Sequence, residues 1–280
     1  MSKLALCIGI NDYPGTDMDL HGCVNDARDW AAELGRRGYA VTSLVNAQAT
    51  KAAMHAAMAD VIGRAVAGDI VAITFSGHGT YVFNTDPAEA EPDGYDEALC
   101  PFDVATGDGP LTDDEIHALL AQRAPGVRLL LIADSCHSGT VSRAALPPAA
   151  APRKRFRPMA HWLKPAQRVR AAALQAALGD RHSAGSALAP PPDDGTALDD
   201  VLLAGCQEGP DNFSYDATLD GRPNGAFTYY ALKALRDLPA GASYRDWLRA
   251  ITPEYLPATA FPQTPQIVAF GTAGQRPVLE

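Results

Sequence analysis

The chain has 280 residues, 47% hydrophobic and 20% charged, enough to fill the core of a globular protein as one large α/β domain or two small ones. A net charge of −10 gives no reason to expect nucleic acid as a partner, and no apolar run approaches the roughly 18 residues of a membrane span. Five scattered cysteines, an odd number without paired metal-type spacing, argue against a secreted disulfide framework and a zinc site, and place the chain in a reducing cytoplasm.

Residues 4–10, after Met1-Ser2-Lys3, read as a strand and not as a signal peptide. Further strands are expected over 40–45, 69–75 and 127–133, the last two nearly continuous in apolar residues, as buried parallel strands are. Helices alternate with them at about 24–37, 51–67 and 113–123, the third opened by Thr112 with Glu115 three residues on, a capping-box pattern. This alternation predicts an α/β fold with a mainly parallel sheet covered by helices.

Residues 144–192 are dominated by Ala and Pro and read as a linker, although 165–178 is Ala-rich enough for a helix. The stretch 143–181 holds nine Lys/Arg against one acid, so the rest of the chain carries −18. A second globular piece follows, with strands at 200–204 and 266–270 and helices at about 226–235 and 244–250. The chain thus divides into a catalytic region (1–143), a basic linker (144–197) and a region completing the same sheet (198–280).

Two of the core strands run into reactive sequences, Ser76-Gly77-His78-Gly79 and Asp134-Ser135-Cys136-His137-Ser138-Gly139. In open α/β sheets the crevice beyond the strands' carboxyl ends is where ligands bind, so adjacent ends bring a thiol and an imidazole together. Such a pair suffices for acyl transfer: the imidazole holds the thiol as thiolate, the thiolate attacks a carbonyl, and the ring passes its proton to the leaving amine. The amides of Gly79 and Cys136 are candidates for an oxyanion hole. An isolated cysteine at a strand end is more often a small buried hydrophobe, but this setting is too polar for a core thiol.

These two motifs resemble the His and Cys motifs of type I metacaspases. Gly22-Cys23-Val24-Asn25-Asp26-Ala27 and Asp93-Gly94-Tyr95-Asp96-Glu97-Ala98-Leu99-Cys100-Pro101-Phe102-Asp103 are similar to segments on either side of the family's catalytic His. Leu203-Ala204-Gly205-Cys206 and Asn224-Gly225-Ala226-Phe227 resemble its small-subunit region more weakly. The resemblance implies a caspase-like (caspase-haemoglobinase) fold with about six strands and helices on both faces, a bacterial-type, orthocaspase-like enzyme, and a monomer.

By strand alternation Asp134 lies on the side of Cys136 and Ser76 on that of His78, so an acid borders the nucleophile and Arg or Lys is expected before the scissile bond. The resemblance implies the same pocket from Asp26, Ser76 and Asp134; the plainer reading of Asp26 is an acid favoured by a helix's first turn. An enzyme cutting after basic residues finds accessible sites in its own linker at Arg153, Lys154, Arg155 and Arg157, and a solvated, uncut linker is the competing reading.

The acid-rich stretch between the catalytic strands does not follow an EF-hand loop. The resemblance matches calcium ligands to Asp96, Asp113 and Asp114, but its remaining acidic position is Arg143 here. No cofactor is therefore expected to be required, with calcium a possible activator only. Cys7, Cys23, Cys100 and Cys206 read as buried thiols, His137 as structural, and Trp162 as a contact that docks the linker. The expected activity is endopeptidase cleavage of proteins or peptides, with no nucleic-acid or membrane partner. A catalytically silent scaffold and a small-molecule thiol amidase are the alternatives.

Overall fold

Six strands form the central sheet of this computed structural model, which describes residues 1–84, 95–136, 152–163, 168, 200–207, 212–269 and 271–280. The chain begins with β1 (Lys3–Gly9), α1 (Cys23–Arg36), β2 (Ala40–Val45), α2 (Lys51–Gly63) and β3 (Ile70–Ser76). β4 (Gly79–Phe83), β5 (Tyr95–Leu99) and β6 (Leu111–Thr112) precede α3 (Asp113–Leu120) and β7 (Arg128–Asp134). β8 (Arg153–Lys154), β9 (Val201–Ala204), β10 (Tyr215–Leu219), β11 (Arg222–Gly225), α4 (Ala226–Asp237), α5 (Tyr244–Ile251) and β12 (Gln266–Ala269) complete the described elements.

The sheet order is β12-β9-β7-β3-β1-β2, parallel throughout except for the antiparallel β12 at one edge. β3 is buried along its whole length, which explains why its sequence is a nearly continuous apolar run and not an alternating one. One face is covered by α1, α4 and α5, where Trp30, Phe227 and Trp247 are buried together and the two indoles meet edge to face at 6.0 Å. The other is covered by α2 and α3 through Met54, Met58, Ile116 and Leu119. The expected mainly parallel sheet with helices on both faces is the fold observed. The capping box is also present, Thr112 Oγ1 accepting from the Glu115 amide and the Glu115 carboxylate from the Thr112 amide.

Two small antiparallel sheets, β4-β5-β6 and β11-β10-β8, lie outside the sequence expectation. Their strands are two to five residues long, too short to impose a readable period. β8 falls inside the expected linker, and Met159, Trp162 and Leu163 beyond it join the apolar cluster on the α2 face. Trp162 does dock its segment, but through burial and an indole bond to Thr80 Oγ1 (3.0 Å), not through charge. Apart from Arg168, the helix expected at 165–178 lies outside the described residues.

Candidate active site

β3 and β7 are neighbours in register, with Ser76 opposite Asp134. His78 and Cys136 each follow two residues later, so the pairing brings the two motifs to the same level at the carboxyl edge of the sheet. Both side chains are buried.

The crevice above them is filled by the chain's own residues 153–157. β8 pairs antiparallel with β10, and the Arg155 amide donates to the Ser214 carbonyl at 2.9 Å. The Arg155 carbonyl then accepts from two amides, Gly79 at 2.9 Å and Cys136 at 3.2 Å, the pair singled out from the sequence. Beyond it, the Arg157 amide donates to the Gly79 carbonyl at 2.8 Å.

The Arg155 side chain is fully buried and its guanidinium meets three carboxylates: Asp26 at 2.6 Å, Asp134 at 3.0 Å and Asp216 at 3.0 Å. Burial alone would lower its pKa, but Asp134, Asp26 and Asp216 hold it well above its ordinary value. Burial, and to a lesser degree Asp134, pushes Asp26 up to about 6 against the pull of Arg155. Each carboxylate is braced from behind. Asp26 accepts from the Gly225 amide and Asn224 Nδ2, Asp134 from the Thr228 amide and hydroxyl, and Asp216 from the amides of His21 and Gly22. Asp26 thus pairs with the Arg155 guanidinium as well as standing in the first turn of its helix. Ser76 is buried beside Asp134, its partner across the two strands. Gly225 leaves the room, because a Cβ there would sit 2.2 Å from Asp134 Oδ2 and 2.4 Å from an Arg155 nitrogen.

The thiol and imidazole are not engaged with each other. Cys136 Sγ accepts from the Ser214 amide and lies 3.3 Å from Cys206 Sγ. Burial, followed by the Cys206 contact, pushes its pKa well above the usual thiol value, so it is a neutral thiol here. His78 Nε2 pairs with the Met18 carbonyl at 2.7 Å, and burial drives its pKa down to about 3, so the ring is neutral and donates there from Nε2. Tyr13 braces His78 from behind, its hydroxyl accepting from the His78 amide at 2.8 Å and its ring lying 4.8 Å from the imidazole.

The family model for "Metacaspase, peptidase C14 domain" matches residues 3–144. Metacaspase-1 of Mycosarcoma maydis is 30% identical over 95% of this chain and 69% of its own length. The chain belongs to the metacaspase family. Metacaspase-4 of Arabidopsis thaliana is 38% identical over half of this chain, which spans only 34% of that relative's length. The crystal structure of a Geobacter sulfurreducens protein superposes with a TM-score of 0.69 at 34% identity, covering 96% of this chain and 93% of that one.

In this metacaspase the acid-rich region gathers Asp113, Asp114 and His117, whose ligand atoms lie within 4.8 Å of one another. Asp113 Oδ1 is buried without a hydrogen-bond partner, and burial, Asp114 and Asp96 together push its pKa up to about 8. A buried, unpaired carboxylate oxygen beside a second acid suits a hard cation, and Asp113 and Asp114 supply oxygen ligands of the kind calcium takes, while Asp96 is not in this close group. His117 was not among the residues expected there. Asp93, His137 and Arg143 lie outside the described residues.

Sequence reasoning missed Asp216, Tyr13, Ser214 and the contact of Cys206 with Cys136. Asp216 lies on a five-residue strand that only tertiary pairing brings to the crevice, and nothing in the local sequence marks it. Among the four basic linker residues the structure discriminates: Arg155 alone enters the acid pocket. Arg153 donates to the Asp19 carbonyl at 2.6 Å, Lys154 stands 3.6 Å over the Phe213 ring, and the Arg157 guanidinium lies 5.4 Å from the Tyr13 ring. No described helix is long and apolar enough to cross a membrane.

Proposed function

We propose that this chain is a cysteine endopeptidase cleaving after arginine or lysine, with Cys136 as nucleophile and His78 as acid/base, and that its own Arg155–Phe156 bond is held in the site as a substrate. One observation carries the reading: a basic side chain lies on three carboxylates while its carbonyl oxygen lies on two amides, in the manner of a bound peptide substrate. Asp26, Asp134 and Asp216 reward a cation and repel an acid, and Ser76 lines the same strand end.

The chemistry requires the Cys136 thiol to leave the Ser214 amide and the His78 ring to leave the Met18 carbonyl, after which the imidazole takes the thiol proton. The thiolate adds to the carbonyl carbon, and the oxyanion is met by the Gly79 and Cys136 amides. The carbon–nitrogen bond breaks as imidazolium gives its proton to the departing amine. Water, deprotonated by the imidazole, then cleaves the thioester and restores the thiol. The neutral, disengaged pair supports a latent state, in which the segment 153–157 shields the site until it is cut.

No cofactor is required in this reading. A calcium ion would be held by Asp113 and Asp114, with Asp96 as the third acid of the expected set, and its charge would relieve the repulsion that raises the Asp113 pKa. The five free, buried cysteines support a reducing cytoplasmic setting. The partners are protein or peptide substrates acted on by a monomer, without nucleic acid or membrane.

Mass spectrometry of purified protein tests self-cleavage: the active chain is cut after Arg155 and Cys136→Ala stays whole. Fluorogenic peptides with Arg, Lys or Asp before the bond, each with calcium or chelator, test specificity and ion dependence. Turnover after Arg and Lys that Cys136→Ala abolishes is the expected result. Cleavage after Asp overturns the pocket, and no turnover in any lane favours the silent scaffold.

A further inference from the structure

The segment in the crevice does not end at the cleaved bond. Phe156, the residue after it, forms a parallel bridge with Gly79 and buries its ring between two aromatic side chains. It stacks on Tyr81 at 5.8 Å with the planes 22° apart, and meets Phe213 at 6.2 Å and 54°. Neither wall is loose. Tyr81 is on β4 and is backed edge-on by Tyr95 at 5.1 Å, while Phe213 carries Lys154 on its ring. Phe213 immediately precedes Ser214, which receives the Arg155 amide, so one short stretch contacts the substrate on both sides of the bond.

We propose that this enzyme reads the residue after the cleaved bond, through a Tyr81–Phe213 site that takes an aromatic ring. The inference rests on the peptidase reading above and adds a second determinant to it. An aromatic ring fills the gap and gains stacking beyond its burial, whereas alanine leaves the gap between the two rings unfilled. A carboxylate there loses its hydration against the negative faces of two rings and gains no donor. The site therefore favours Phe and Tyr, tolerates Leu, and disfavours Asp. The substrate class becomes peptides with a cation followed by an aromatic residue, the order of Arg155 and Phe156 themselves.

The test uses the full chain and quenched peptides identical up to an arginine, followed by Phe, Leu, Ala or Asp, beside the matching arginine methyl ester, whose leaving methanol carries no ring and so reports on the arginine pocket alone. The expected kcat/KM order is Phe, Leu, Ala, Asp, with Phe about tenfold above Ala. In Tyr81→Ala the Phe-to-Ala ratio falls towards one, and because it is a ratio it is insensitive to any general loss of activity. Phe213→Leu provides the same readout if Tyr81→Ala does not fold. Equal rates across the peptide series, with the methyl ester turned over, overturn the inference and leave the peptidase reading standing. No turnover of any substrate removes the peptidase reading and the inference with it.

Discussion

Around the Arg155 guanidinium three carboxylates are already paired and braced from behind, whereas beside it the Cys136 thiol and the His78 imidazole each face a backbone group instead of one another. The pocket is built from strand and helix ends, Asp134 closing β7, Asp26 in the first turn of α1 and Asp216 on β10, all fixed by the packing of the sheet. For the proposed pair to meet, Cys136 and His78 must first leave these backbone groups, whereas shifting a pocket acid means moving a strand or a helix. On the proposed reading, recognition is set by the fold and chemistry by side-chain state, so that a substrate segment is held without being consumed at once. The buried charges argue in the same direction. An arginine shared among three carboxylates is strongly held in place, and removing one partner of such a cluster commonly costs about 3–5 kcal/mol while it stays dry.

The sharpest way to break this comparison is to close the pocket and leave the reacting pair alone. Gly225→Ala adds a Cβ 2.2 Å from Asp134 Oδ2 and 2.4 Å from an Arg155 nitrogen, so the carboxylate and the arginine cannot both keep their places. We expect turnover of arginine peptides and self-cleavage to fall by at least about 100-fold, with overpacking costing about 1–3 kcal/mol of stability. Steady-state kinetics together with a thermal melt separate the two effects. A folded variant with normal kcat/KM shows that the pocket is not where the arginine binds.

A smaller effect is expected from Asp216→Asn, which keeps an oxygen for only one of the His21 and Gly22 amides, each of which now has its own carboxylate oxygen, and removes one charge from the arginine. A hydrogen bond to a charged group contributes about 1.5–3 kcal/mol, so kcat/KM for arginine peptides should drop about 10- to 100-fold. Citrulline peptides, which carry no charge at that position, should be nearly unaffected. An equal loss on both substrates assigns Asp216 to holding the start of α1 instead.

The same contrast explains what the sequence made legible. The strands bearing His78 and Cys136 were readable because buried parallel strands are continuous apolar runs, and the motifs mark their ends. Asp26 and Asp134 were found through family resemblance and strand alternation. Asp216 and Tyr13 were not, because their roles arise from contacts across 61 residues to Arg155 and 65 residues to His78. The composition of 144–192 reads as a linker, yet Arg155 inside it sits at the centre of the site. A run of basic residues looks solvated until the carboxylates that receive one of them are in view. The disengaged state of the pair leaves no trace in sequence at all, since it depends on which backbone groups happen to face Sγ and Nε2.

That state has a pH signature. Burial holds the folded His78 pKa at about 3, against roughly 6.5 when unfolded. Between those values the unfolded chain binds a proton that the folded one does not, so His78 lowers stability as pH falls below about 6.5, with a slope approaching ~1.4 kcal/mol per pH unit. Asp26 acts in the opposite sense. Its folded pKa of about 6 lies above the unfolded value, so it adds stability as pH falls through that range. The total slope mixes the two, and the informative quantity is the difference between wild type and His78→Gln, whose amide can still donate to the Met18 carbonyl. Urea midpoints between pH 7 and pH 5 should show wild type losing more stability than the variant. If the two lose stability in parallel, His78 is solvated and free to titrate, and the disengaged, neutral imidazole is not the resting state of the enzyme.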